Sequence, residues 1–167
     1  SFVTLCYARF DLERHRLTLV DCGHTKTIHF QARTNDCVTL QGSNMPIGFS
    51  EREIYEQVSI PFEAGDLFVF YSDGISETKN ASGELFGEER LMEVVRSHHE
   101  LDAERLVEEI RSAVVVFSDS QPQSDDLTCV ALKMEDTEGL LPVAHSELDL
   151  PSDLTQLEPV RQLVHEF

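Results

Sequence analysis

Leu67-Phe68-Val69-Phe70-Tyr71 runs without a break into Ser72-Asp73-Gly74 (LFVFYSDG, residues 67–74). An unbroken apolar run of this length, with turn formers on either side, predicts a strand buried on both faces. The acid that follows stands where such a strand leaves its sheet, and the glycine after it allows backbone to approach a neighbour closely. Two readings are open at this point. Asp-Gly is a common turn dipeptide, so Asp73 can simply close the strand. Alternatively, Asp73 presents a carboxylate at the sheet edge to a ligand.

A second acidic turn, Gln123-Ser124-Asp125-Asp126-Leu127-Thr128, stands at the mouth of the last strand-like run, residues 127–134 (LTCVALKM). Adjacent carboxylates repel one another unless solvent or a cation offsets the charge. A solvated loop accounts for the pair. So does a hard divalent ion, Mg²⁺ or Mn²⁺, which takes oxygen ligands and keeps much of its water. Two acid-bearing strand ends in one small domain favour a shared metal site, although spacing alone does not bring them together.

Outward from these turns, residues 2–10 and 14–21 alternate with β-branched and aromatic residues and predict an antiparallel hairpin. Cys22-Gly23-His24-Thr25 interrupts the pattern, and short strands follow at residues 28–30 and 37–40. A loop rich in turn formers covers residues 42–48, and residues 55–62 (YEQVSIPF) alternate as a further strand. Helical spacing then takes over. Residues 87–98 put Leu91, Val94 and Val95 on one face behind first-turn acids, and Asp102 is placed to cap a second helix running to about residue 117. Residues 135–144 break all periodicity and predict a linker. Residues 145–167 hold about one strand and one helix, too little to close a core alone. They predict either an extension or the start of a second domain.

The 167 residues carry thirty-one acids against thirteen bases, a net charge of −18. Such a chain repels phosphate backbones and anionic lipid, which argues against nucleic-acid partners and membrane surfaces. No apolar run approaches the ~18 residues that a membrane span needs. The four cysteines, Cys6, Cys22, Cys37 and Cys129, show no C-x-x-C spacing and predict reduced thiols in a cytoplasmic protein. The chain opens at Ser1, without methionine, directly in strand-like sequence, as an excerpt from a longer protein does.

In collinear order, FVTLCYARFD, LTLVDCGHT, NMPIGF, VSIPFEAGDLFVFYSDGISETKN, GELFGEERL and QSDDLTCVALKM resemble the SpoIIE-type branch of the protein phosphatase 2C-like (PPM) family, over roughly residues 2–134. The resemblance implies an α+β fold: an α/β/β/α sandwich of antiparallel sheets flanked by helices, here the C-terminal part with N-terminal strands missing. It also implies a dinuclear Mn²⁺ or Mg²⁺ centre. Asp73 matches the metal aspartate of the family's "DG" motif, with Gly74 giving the close backbone turn. Asp125 matches the first acid of "D-D/N-x-T", with Asp126 at the variable position beside it. His24 matches the "AGH" signature, here Asp21-Cys22-Gly23-His24. A hydrogen-bonded turn histidine and a general acid are both open for it, the former being the simpler.

The implied reaction is hydrolysis of a phosphoserine or phosphothreonine ester on a regulatory protein, by family analogy an anti-sigma-factor antagonist with a STAS fold. The sequence leaves homodimerisation open. The family's first half carries a "GGD" aspartate that bridges the metals and a "D-x-x-G-H/K-G" segment, and neither occurs in residues 1–167. The chain by itself is therefore expected to be inactive or a weak metal binder, with its bridging ligand upstream. The tail, HSELDLPSDLTQLEPVRQLVHEF, resembles the opening of the anti-sigma-factor kinase family, a GHKL-type ATP-binding fold. The main alternative is a degenerate phosphatase fold that binds a partner without catalysis. A secreted glycoprotein, suggested by the sequon Asn80-Ala81-Ser82, is disfavoured by the free cysteines and the lack of a signal.

Overall fold

The computed structural model describes residues 1–50, 52–119 and 125–135. The chain divides into two units, Ser1–Asp136 and Thr137–Phe167, and all described residues belong to the first. The expected linker at 135–144, apart from its first residue, and the expected second domain or GHKL-type start at 145–167 lie outside the described residues.

β1 (Leu5–Asp11) and β2 (Arg16–Cys22) form the predicted antiparallel hairpin, and β5 (Val58–Pro61) pairs along the other edge of β2. Together they make a three-stranded sheet in the order β1-β2-β5. A second, four-stranded sheet takes β3 (Thr27–Gln31), β4 (Asp36–Leu40), β6 (Leu67–Tyr71) and β7 (Cys129–Lys133) in the order β4-β3-β6-β7. All these pairings are antiparallel. A one-turn helix, α1 (Asp73–Ser76), follows β6, and α2 (Gly87–Ser97) and α3 (Ala103–Ser118) come before β7.

β6 explains the architecture. Phe68 packs with Leu17, Leu19 and Phe62 between the two sheets, and Phe70 joins that core from its margin. The intervening residues Leu67, Val69 and Tyr71 face the helices, against Leu91, Val95, Leu106, Ile110 and Val114. Both faces of the strand are covered, which is why its sequence is continuously apolar. Three of the four layers of an α/β/β/α sandwich are thus present among the described residues: helices, four-stranded sheet and three-stranded sheet. No described helix is long and apolar enough to cross a membrane.

The elements are shorter than alternation predicts, for local reasons. β1 begins at Leu5 rather than at residue 2, because its partner β2 ends at Cys22, opposite Leu5, where Gly23 turns the chain at φ 71°. Val3 instead makes an isolated bridge to Ile47. β5 begins at Val58 rather than at residue 55. Upstream of it, the Asn44 side chain donates to the Glu56 carbonyl (2.8 Å) and accepts from the Glu56 N–H (2.7 Å), so a side chain replaces the ladder there. The second helix is capped as expected, with the Asp102 carboxylate accepting from the Arg105 N–H at 2.8 Å. The four cysteines are free thiols.

Candidate functional site

β6 and β7 are antiparallel neighbours, with Tyr71 opposite Cys129, so the end of one lies beside the start of the other. Asp73 leaves β6 there and Asp125 enters towards β7. The ladder continues one step past the strands, where the Ser72 N–H donates to the Thr128 carbonyl at 3.0 Å. The Ser72 hydroxyl donates to the Asp126 carbonyl and accepts from the Thr128 N–H, both at 3.0 Å. Gly74 lies against the same turn: a Cβ built there would fall 2.4 Å from the Asp126 carbonyl oxygen and 3.5 Å from the Asp125 Cβ. The two acidic turns are therefore in van der Waals contact. Asp73, Asp125 and Asp126 are all exposed, and the Asp125 Oδ1 accepts from the Asp126 N–H at 2.8 Å.

The turn between the sheets arrives at the same end. Asp21 is buried at 3% exposure and accepts from the His24 N–H and the Gly42 N–H, both at 2.9 Å. Its carboxylate thereby fixes the Gly23–His24 turn that carries the chain from β2 to β3. Thr25 donates its hydroxyl to the Tyr71 carbonyl, and Lys26 reaches Glu88, in the first turn of α2, at 2.9 Å. Burial, and then the Glu88 carboxylate, push the Tyr71 phenol well above its ordinary value, so it stays neutral. His24 is half-buried and shares with Ser72 and Thr128 a cleft of about 620 Å³ between β1 and β7. Its backbone N–H, not its ring, makes the bond that fixes the turn.

Of the residues singled out from sequence, Asp73, Gly74, Asp125 and Asp126 come together at one sheet end, and His24 lines the cleft beside them. Gln123 and Ser124 of the second motif lie outside the described residues. The Asp73-Gly74 segment is not a plain turn. It forms the first half of α1, and Gly74 is needed for close approach to another turn. Ser72 carries the cross-turn bonds, and the sequence reading gave it no role beyond its place before Asp73. The one signal for it was a hydroxyl residue at the N-cap position before an acid.

Asp73 and Asp125 offer two hard carboxylates on touching turns, a donor set that suits Mg²⁺ or Mn²⁺ with the remaining positions left to water and substrate. Among the described residues no group of three or more His, Cys, Asp or Glu side chains gathers as a metal site, so Asp73 and Asp125 do not by themselves complete one.

Comparison with known proteins agrees with this fold. The family profile described as Stage II sporulation protein E (SpoIIE) matches residues 1–135. The phosphoserine phosphatase RsbU of Bacillus subtilis (strain 168) is 26% identical over 132 residues, taking in 79% of this chain and 39% of RsbU. Among solved structures, the Mn-presoaked phosphatase domain of the cell-fate determinant SpoIIE from Bacillus subtilis superposes with a TM-score of 0.59. It is 22% identical and covers 84% of this chain and 59% of that domain. The SiaA-PP2C domain of Pseudomonas aeruginosa superposes with a TM-score of 0.63 at 19% identity, covering 73% of this chain and 47% of that one. At such identities the superpositions speak for the fold alone. The chain spans about two-fifths of the length of RsbU.

Proposed function

Because the chain belongs to the SpoIIE family, we propose that it supplies one half of the metal site of a protein-serine/threonine phosphatase. The observation that carries this reading is the contact between the two acidic turns, with Gly74 seated on Asp125 and Asp126. The packing puts exposed carboxylates of both turns at one sheet end, where a cation as well as solvent can offset their charge.

In this reading Asp73 and Asp125 hold Mn²⁺ or Mg²⁺, and further ligands, among them one that bridges two ions, come from outside residues 1–167. When bound, a pair of such ions supplies an acidified water and offsets charge on the phosphoryl oxygens. The chain's own part is to fix two carboxylates at the rim of the sheet, where a phosphorylated side chain can reach them. Covalent catalysis by cysteine does not fit. Burial pushes Cys22 up and Cys129 up to about 11, so both remain thiols at neutral pH. The substrate we assign is a phosphoserine or phosphothreonine on a regulatory protein, an anti-sigma-factor antagonist of STAS fold. Support comes from the family and from the relative named a phosphoserine phosphatase.

The test is Mn²⁺ titration and phosphate release from a phosphorylated STAS-type protein, with full-length protein and its Asp73→Ala and Asp125→Asn variants. We expect Mn²⁺-dependent release in the wild type and a drop of at least about a hundredfold in each variant, since each removes a direct ligand. Wild-type protein that neither binds Mn²⁺ nor releases phosphate would mark a partner-binding module instead.

A further inference from the structure

We propose that Ser72 is a positioning residue for this site: its hydroxyl pins the turn bearing Asp125 to the turn bearing Asp73 and so sets the geometry in which both meet one cation. The inference rests on the metal-site reading above.

Three bonds join Ser72 to the opposite turn. The one from its backbone N–H to the Thr128 carbonyl merely continues the β6–β7 ladder, and any residue except proline would supply it. The other two need the hydroxyl. Oγ donates to the Asp126 carbonyl and accepts from the Thr128 N–H, at 3.0 Å each. One atom must therefore donate and accept at once on a one-carbon stem, which serine and threonine do and alanine or valine cannot.

The position of Ser72 makes this use of the hydroxyl informative. It is the N-cap of α1, with extended backbone at φ −85° and ψ 157°, and makes no side-chain cap bond to its own helix. An N-cap serine ordinarily accepts from an amide two or three residues ahead. Here that capacity is turned across to the other acidic turn. Gly74, having no Cβ, leaves room for the Asp126 carbonyl to lie close by, and the Ser72 hydroxyl holds that carbonyl with a hydrogen bond. Asp125, one residue earlier, inherits the resulting position. A small, octahedral cation tolerates little displacement of its ligands, and outer groups that orient ligands typically change affinity 10–100-fold.

Mn²⁺ affinity of the full-length protein, measured by calorimetry for wild type, S72T, S72V and S72A, tests the idea, together with hydrogen exchange at the Thr128 amide. Threonine and valine have nearly the same shape, so that pair isolates the hydroxyl from bulk. S72T should bind within about threefold of wild type, while S72V and S72A should bind at least about tenfold more weakly. Both weak variants should also lose protection at Thr128 while keeping it in the β3 and β6 core. If S72V does not fold, S72A, which adds no bulk, carries the comparison with S72T. Equal affinity in S72T and S72V, beside a wild type that binds, would overturn the proposal and leave the metal site standing. Weakened binding with Thr128 still protected would overturn it too, because the hydroxyl would then act elsewhere. A wild type that binds no Mn²⁺ removes the metal reading and this proposal together.

Discussion

At Gly74 an added Cβ would lie 2.4 Å from the Asp126 carbonyl oxygen and 3.2 Å from its carbonyl carbon, and neither is the movable end of a side chain. Two effects oppose each other in Gly74→Ala. Gly74 belongs to α1, so alanine gains about 1 kcal/mol of helix propensity. Forcing a methyl into backbone costs about 1–3 kcal/mol, and a contact this short belongs at the upper end of that range. The clash wins. We expect Gly74→Ala to lower stability by about 1–2 kcal/mol in urea unfolding, and to weaken Mn²⁺ binding because the two turns must part. A variant as stable as wild type, with unchanged Mn²⁺ affinity, would show that the turns are not packed as described. Sequence alone signals that Gly74 permits close backbone approach. What it approaches is set by residues more than fifty positions later, and no local pattern encodes that. Asp21 shows the same limit: it reads as one more acid in a chain of net charge −18, yet it is buried and engaged by two backbone amides.

Among the elements, β7 and the turn after α2 are joined by one side chain. Lys133 Nζ donates to the carbonyls of His99, Glu100 and Leu101 at 3.0, 3.0 and 2.7 Å. These carbonyls follow the end of α2, where a cation also suits the helix dipole. Hydrogen bonds from a charged donor contribute about 1.5–3 kcal/mol when protected. The partly exposed setting here argues for the lower end. Lys133→Met keeps the stem and removes the donors, and should cost about 1–2 kcal/mol, measured as a shift of the urea midpoint at unchanged slope. A shift within error would mean that water replaces the ammonium without loss. Element type was largely legible: the apolar run at residues 67–71, both long helices and the Asp102 cap follow from periodicity and capping chemistry. Ends were less so, since the partner decides them. Asn44 takes the place of a strand at Glu56, and Gly23 ends β2 opposite Leu5. α1 escaped altogether, because a four-residue helix shows no period.

For the molecule as a whole, alternation marks strands but does not say which sheet each joins. The switch from one sheet to the other happens at Asp21–His24, through side-chain bonds that a hydropathy pattern does not carry. The motif series filled that gap, which is why the family and its fold were legible before the pairing of strands was. The thiols show how well the strands are covered. Cys6 lies in β1, Cys22 in β2, Cys37 in β4 and Cys129 in β7, so every thiol sits within a strand. Burial raises all four above the ordinary 9.0, with Cys37 and Cys129 each pushed up to about 11. The folded chain thus holds these protons more tightly than the unfolded chain. By linkage, that contribution to stability is complete below about pH 9 and is lost as pH rises through about 11. Melting temperature should therefore fall continuously across this window. Thiolate absorbance from Cys37 and Cys129 should appear together with loss of the folded circular-dichroism signal, not before it. Thiolates that form near pH 9 in a chain still fully folded would mean that water reaches both strands, and that the helix-to-sheet core which covers Cys37 and Cys129 is looser than its packing indicates.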